Sequence, residues 1–448
     1  MAITRRLWTL STPIIGINVL NVLMLAVDAA LCGRLPDRDH TLAALGLSVQ
    51  VVLLFMTAML GLLVGTVALV SRAYGARDLA RVNHLIAQST ILTAVVGVVV
   101  GAIAAAYARV ILAGFGASAV VAEIGADYLR PLMLGAPFAY LTLLYTGVLR
   151  GVGNTRIPFS CAVIANIVNA VLNYGLVLGN LGMPALGVRG SAIGTVIAQL
   201  LNLVILVFAL RRGAIANVQL SLPRVHVDRR LAIELFRVGW PAAVDSLIMN
   251  VAFLSAIAML ARIDELTVAA HGLGMRVRSL AFVPGLSIAQ ATGALVGQAL
   301  GAGNVSQARV VMRAAMTLCL VIASGLALSI IVAARPLSHI FDVPSGTPLE
   351  ALTVTWMRIL GCTMVPAAIH ISTYGLFHGA GATRTTLRIN FWVTMSFQIP
   401  LAYVLGFALE LGELGVWLSF PIAIAVKASV NFIAYKREHW VVTGVRLA

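Results

Sequence analysis

The sequence predicts an all-α integral membrane protein of 12 transmembrane helices in two six-helix lobes related by a pseudo-two-fold axis along the membrane normal. Three properties of the chain point there. The composition suits lipid and not water: 60% of the 448 residues are hydrophobic, 10% are charged, and the mean hydropathy is +0.99. Apolar stretches of roughly 18 residues or more, the length that crosses a bilayer core, recur twelve times. The two halves of the chain also repeat one another.

The repeat is read from short matches in a constant register. RGVGNTR from Arg150 to Arg156 and HGAGATR from His378 to Arg384 lie 228 positions apart. The same offset pairs GVRGS from Gly187 with GVWLS from Gly415, and Pro13 with Pro241. At an offset of 226, Gly65 to Ala76 meets Ala291 to Ala302 with seven identities in twelve residues. A duplicated membrane module is a common transporter architecture.

The spans fall near 10–31, 45–70, 86–107, 128–149, 157–178 and 191–210 in the N-lobe (1–210), and near 238–260, 279–300, 314–334, 356–377, 389–409 and 414–435 in the C-lobe (238–448). A cytoplasmic inter-lobe linker occupies 211–237. No run alternates over ten residues as a barrel strand would, so the backbone satisfies its hydrogen bonds within helices. Span one carries Pro13, which removes a backbone hydrogen bond and permits a bend. Six spans per repeat is an even number, so both copies enter the membrane in the same direction.

Charge distribution sets the orientation. The formal net charge is +15, yet Lys and Arg divide 20 to 10 between the two sides, with Lys427 alone inside the last span. The richest cluster is Arg211, Arg212, Arg224, Arg229, Arg230 and Arg237 in the linker. The bias places both termini in the cytoplasm of a multi-pass inner-membrane protein and reports topology, with no nucleic-acid partner expected. Arg5 and Arg6 precede a run too long and too polar for a cleaved signal, so span one is read as retained. Cys32, Cys161, Cys319 and Cys362 lie in or beside apolar spans without CxxC spacing and are read as packed thiols, with no metal site.

Candidate chemistry follows from scarcity. Of sixteen acidic residues, fourteen fall in loops or at helix ends, leaving Asp28 and Asp245 inside spans. A carboxylate at the bilayer centre costs on the order of 3 kcal/mol, so such a group faces a cavity and has a task there. Helical spacing aligns Asn21 with Asp28 and sets Asn18 one turn from Asn21. Span five repeats the pattern with Asn166, Asn169 and Asn173, and span six with Thr195, Gln199 and Asn202. These three stripes are expected to line an N-lobe pocket; helix-bonding amides are the plainer alternative. At the 228 offset Asp28 becomes Ala256, Asn169 becomes Phe397 and Asn173 becomes Leu401, so the polar set belongs to one half. Burial disfavours the charged form of a carboxyl. Asp28 is therefore read as the proton-exchanging group, with proton and cationic substrate competing for it. Asp245 is the C-lobe candidate, and Lys427 is read as a charge partner or a snorkelling side chain. His271, His370 and His378 lack ligand spacing, and Tyr128 and Tyr145 either stack on a cationic drug or pack.

Twelve spans in two parallel repeats, the RGVGNTR/HGAGATR pair, the Gly-Ala pairs after spans two and eight, and AAHGLGMRVRSLAFVPG from Ala269 together resemble the multidrug and toxic compound extrusion (MATE) transporters over essentially the whole chain. The resemblance implies export of cationic or amphipathic organic compounds in exchange for protons or sodium, by alternating access between two lobes. The N-lobe set resembles the DinF branch, in which Asp28 would match the essential carboxylate, Pro13 the bend-forming proline, and Asn169 and Thr195 the supporting polar residues. Asn173 stands where many members carry a second Asp, which puts a two-carboxylate relay in doubt. The NorM branch resembles a site with carboxylates on spans seven and ten; Asp245 would serve the first, but span ten holds no Asp or Glu.

Proton antiport through Asp28 is thus the expected coupling, with sodium held by Asp28, Asn169, Asn173 and Thr195 as the alternative. No cofactor is expected, the driving force being an ion gradient; membrane lipid and small molecules are the partners, and the chain is read as a monomer. Lys427 and Lys436 are followed by Ala428 and Arg437, so no phosphate loop ending in Lys-Ser or Lys-Thr exists. No HExxH or GxSxG constellation supports an enzyme, and the DxD at Asp37 to Asp39 is read as a solvated outer turn. A lipid-linked glycan flippase shares the architecture, but a pyrophosphate cargo calls for cavity arginines, and the spans as drawn are nearly free of Arg.

Overall fold

The structure is a computed structural model describing residues 2–215, 228–438, 440 and 441. The linker segment 216–227, with Arg224, lies outside the described residues, as do His439 and the last seven positions. The chain is all-α among the described residues: α1 (Ala2–Cys32), α2 (Arg38–Gly75), α3 (Leu79–Ala106), α4 (Ala108–Gly114), α5 (Ala119–Leu134), α6 (Ala136–Gly151), α7 (Arg156–Leu178), α8 (Val188–Arg211), α9 (Arg229–Leu260), α10 (Glu265–Gly301), α11 (Val305–Val332), α12 (Ala334–Ile340), α13 (Pro348–Gly379), α14 (Thr383–Val393), α15 (Ile399–Tyr403) and α16 (Gly412–Lys436). Eleven helices among the described residues are long and apolar enough to cross a membrane, and twelve if α5 and α6 count as one bent span.

Several spans differ from their expected form for identifiable reasons. The fourth is broken, with α5 and α6 meeting at 53° around Gly135. Pro137 in the first turn of α6 lacks the N–H that would reach back to Met133 across the break, and Pro131 lies one turn before it inside α5. The eighth starts at Glu265, fourteen residues before the expected 279, and brings Arg276 and Arg278 into a helix. The eleventh holds two π-helical turns, Thr394–Gln398 and Val404–Ala408, which flank Pro400 near the start of α15. Helix α1 runs unbroken through Pro13.

The described residues fall into two compact units, Thr12–Gly239, and Trp240–Ala448 together with Met1–Ser11. Both divisions fall two residues before a helix-interior proline, Pro13 in α1 and Pro241 in α9. Inside the first unit α9 meets α2 closely: the Leu235 carbonyl oxygen stands 2.6 Å from where a Cβ on Gly65 would lie, so only glycine fits. Inside the second, α10 and α13 approach through Ala289, Gly293, Gly375 and Gly379, the small-residue contact that brings backbones together in lipid. Trp356 stacks on Trp417 at 5.3 Å and anchors a cluster with Leu260, Leu360 and Val416.

The repeated sequence motifs are turn devices. In RGVGNTR the Gly153 and Asn154 N–H groups donate to the Arg150 and Leu149 carbonyls at 2.9 and 2.8 Å, and Gly153 takes φ +91°. In HGAGATR, Gly381 takes φ +70° and Ala382 donates to Phe377 at 2.8 Å. Both are left-handed helix terminations that satisfy the last carbonyls of α6 and α13. After α2 and α10 the same construction recurs with Arg77 (φ +62°) and Gly303 (φ +71°), followed by Asp78 and Asn304, whose side chains cap α3 and α11 by accepting from Arg81 and Gln307.

Candidate functional site

In the first unit, α1, α7 and α8 assemble a buried polar chain. Asp28 is 2% exposed, in the last two turns of α1. Asn173 of α7 donates its amide to Asp28 Oδ1 and a second hydrogen to Asn169 Oδ1 at 3.3 Å; Asn169 in turn donates to Thr195 Oγ1 of α8 at 3.1 Å. The i, i+4 spacing of Asn169 and Asn173 stacks the two amides on one face of α7. Gly194 makes the arrangement fit, since a Cβ there would collide with Asn173 Oδ1. Asp28 Oδ2 and Asn173 Oδ1 are buried without a protein partner, a costly state that calls for a proton, an ion or water. Cys32, Tyr128 and Val177 close the apolar side.

A cavity of about 180 Å³ lies beside this chain, lined among others by Asn21, Asn166, Thr195, Gln199 and Asn202. Of the expected pocket residues these five reach it. Asn169, Asn173 and Asp28 do not line it but sit behind its wall, and Thr195 belongs to both cavity and chain. Asn18 is half-buried in α1 away from this wall. Gln199 Oε1 and Asn202 Oδ1 are buried without a protein partner, whereas Asn166 bonds back to its own helix at Ala162. The separation follows from geometry: a seven-residue spacing drifts round a straight helix by about 20°, and Asp28 stands almost two turns beyond Asn21.

The second unit repeats the design at another height. Asp245 of α9 is 2% exposed and accepts from Asn390 of α14 at 2.7 Å. Asp28 and Asn173 are 145 residues apart, and so are Asp245 and Asn390. The second pair stands 217 positions after the first and not 228, a shift of eleven residues on both helices. Eleven residues make about three turns, so each side chain keeps its face while the pair moves about 16 Å along the axis. Ala256 and Leu401 occupy the direct repeat positions. Comparison at one fixed offset therefore hid Asn390; the shared 145-residue spacing is the signal that reveals it.

Around Asp245 lie further buried polar groups. Lys427 of α16 is 2% exposed and touches Met249 Sδ at 3.8 Å; the Asp245 charge acts on it from beyond salt-bridge distance. Asn431 donates to the Lys427 carbonyl at 2.7 Å and meets His370 Nδ1 at 3.2 Å. His271 stacks on Trp356 with ring centroids 4.9 Å apart, and His378 lies 3.8 Å from Tyr374, so both are packed rings. Tyr145 bonds Thr90 at 3.2 Å and Tyr128 belongs to the packed cluster beside Asp28, so neither lines the N-terminal cavity. Cys32, Cys161 and Cys319 are buried; all four thiols are free. No group of three metal-ligating His, Cys, Asp or Glu side chains exists among the described residues.

Duplicated bundles of apolar spans, each with one intramembrane carboxylate clamped by an asparagine, define a two-lobe polytopic membrane protein of transporter architecture. The MatE family profile matches residues 13–175 and again 241–404, two copies that start 228 positions apart (241 − 13), and the chain belongs to the MatE family of MATE transporters. It is 27% identical to the probable multidrug resistance protein YoeA of Bacillus subtilis, over 95% of this chain and 91% of that protein. It is 25% identical to the probable multidrug resistance protein NorM of Thermotoga maritima, over 98% and 93%. A crystal structure of a MATE protein in the bent conformation superposes with a TM-score of 0.90 at 24% identity, covering 98% of this chain and 96% of that one; this likeness concerns the fold.

Proposed function

We propose that the protein is a secondary active multidrug exporter of the inner membrane that exchanges cationic or amphipathic organic compounds for protons by alternating access, with both termini cytoplasmic. The observation that carries the coupling is the Asp28–Asn173–Asn169–Thr195 chain, which ends in the cavity wall. Protonating Asp28 adds a donor at a carboxyl that now only accepts. The proton goes to the unpartnered Oδ2, whose new donor can reach the unpartnered Asn173 Oδ1, so the change is felt by Asn173 and, through Asn169, by Thr195. Substrate in the cavity and proton on Asp28 are thereby coupled through three side chains, without direct contact between them. The names of the relatives support a drug-like cargo, and the MatE match favours drug export over a glycan flippase.

The alternative coupling ion is sodium. A hard cation takes oxygen ligands, and of the four-residue set Asn169 Oδ1 and Thr195 Oγ1 already accept hydrogen bonds. Only Asp28 Oδ2 and Asn173 Oδ1 have no partner at all; a proton needs one such oxygen and a cation several, which favours the proton. Proteoliposomes with separately imposed proton and sodium gradients test this by efflux of a fluorescent organic cation. Proton-driven efflux in wild type, lost in Asp28→Asn, is expected. Efflux driven by sodium alone overturns the proton assignment, full activity of Asp28→Asn removes Asp28 from the mechanism, and loss in Asp245→Asn alone moves the site to the C-lobe.

A further inference from the structure

The second unit contains a cavity that the repeat relates to the first, and its polarity is different. Gln199 and Asn21 line the N-terminal cavity; their repeat mates at +228, Lys427 and Met249, line the C-terminal one. Met24 and Met56 correspond at +228 and +226 to Ala252 and Phe282, which line it as well. One module thus builds the same hollow twice, furnished with amides in one copy and with cations in the other. Lys427 and Arg278 both face the second cavity, together with Gln398, the last residue of a π turn, a backbone irregularity that often marks a functional site.

Neither cation has an anionic partner in contact. Arg278 meets Met275 Sδ at 3.6 Å and lies 4.7 Å from the Phe282 ring; Lys427 meets Met249 Sδ. Among the described residues no carboxylate oxygen comes within 4.0 Å of either. Asp245 acts on Lys427 only at longer range and is committed to Asn390. Two cations without contacting anions inside a span are expensive unless a ligand supplies the charge. The hollow is about 60 Å³, where one water needs ~10–15 Å³, so it has room for a carboxylate group. Phe253, Phe282 and Phe420 line it with aromatic surface.

The geometry points to an anion subsite: Arg278, Lys427 and Gln398 receive the carboxylate of an aromatic amphipathic substrate whose ring body lies against the phenylalanines. The arginine fork and the lysine point charge suit a carboxylate, and a neutral isostere would leave both cations unmet. This inference deepens the export reading by naming a substrate class, and rests on it only for transport, since binding alone tests the subsite.

The test is equilibrium binding of a matched fluorescent pair, 9-anthracenecarboxylate and 9-anthracenecarboxamide, to the full-length protein in phosphatidylcholine nanodiscs. Wild type should prefer the acid by at least about tenfold. Arg278→Gln and Lys427→Gln should each erase the preference, while Lys427→Arg, which keeps the charge, retains most of it and guards against simple misfolding. Equal binding of acid and amide to wild type overturns the proposal, as does a preference unaffected by both Gln substitutions. A preference abolished by adding phosphatidylglycerol assigns the cations to a lipid headgroup and also overturns it. Asp28→Asn should keep the acid preference while losing proton-driven efflux, so the subsite and the coupling reading fail separately.

Discussion

Asp28, Asn173, Asn169 and Thr195 form one hydrogen-bonded chain. Thr195 is the only one of the four on the cavity wall, so Thr195→Val should fold normally yet uncouple the site. Substrate affinity measured across a pH series should change in wild type and stay flat in the variant, since the hydroxyl that accepts from Asn169 is gone. Gly194→Ala should displace Asn173, because the added methyl occupies the position of its Oδ1. Overpacking of this kind costs about 1–3 kcal/mol, which thermal unfolding in detergent would register, and proton-driven efflux should fall with it. The sequence displays these polar residues by their rarity in apolar spans. It does not display which of them are cavity wall and which are interior, because that depends on how α1, α7 and α8 are rotated about their axes.

Element termini carry the next set of consequences. The turns at Gly153 and Gly381 need left-handed backbone, and placing an L side chain there costs roughly 1–2 kcal/mol. Gly153→Ala and Gly381→Ala should therefore lower the unfolding temperature to a similar extent without altering the ion coupling of the protein that remains folded. At the start of α9, Asp228 caps the helix by accepting from Arg230 and Leu231 and binds His84 of α3 at 3.0 Å. The His84 hydrogen bond, reinforced by the Leu231 N–H, holds its carboxyl below the usual carboxylate range. A group with a lowered native pKa stabilises the fold above its unfolded value and loses that contribution as the pH falls through the native one. Wild type should thus lose thermal stability more steeply than Asp228→Asn as the pH falls through and below the ordinary carboxylate range. The long spans were legible from hydropathy. The break at Gly135, the π turns and the early start of α10 were not, because each is a compromise between helix continuity and packing.

At the scale of the whole molecule, the duplication governs the scaffold and relaxes at the sites. Turns, caps and cavities recur at 226 or 228 residues, whereas the carboxylate–asparagine clamps recur at 217. Parallel helices tolerate this slide, since moving both partners by three turns preserves their pairing. The reading of topology is checked by single cysteines: a thiol at Arg77, in the turn after α2, should react with an impermeant maleimide only from the cytoplasmic side, and one at Arg34, after α1, only from outside. The opposite pattern would invert the orientation drawn from the 20 to 10 division of basic residues.

The sequence by itself determined the solvent, the number of spans, the duplication and the two intramembrane carboxylates, because each is a local property of composition, run length or register. Tertiary structure decided what those carboxylates touch. It placed Asp28 behind the cavity wall and not on it, gave Asp245 the partner Asn390, and carried Arg278 from an expected outer loop into a cavity beside Lys427. Such outcomes depend on helix rotation and on the height at which helices meet. Periodicity along one segment fixes a face, but only packing against the neighbouring helices fixes what that face meets.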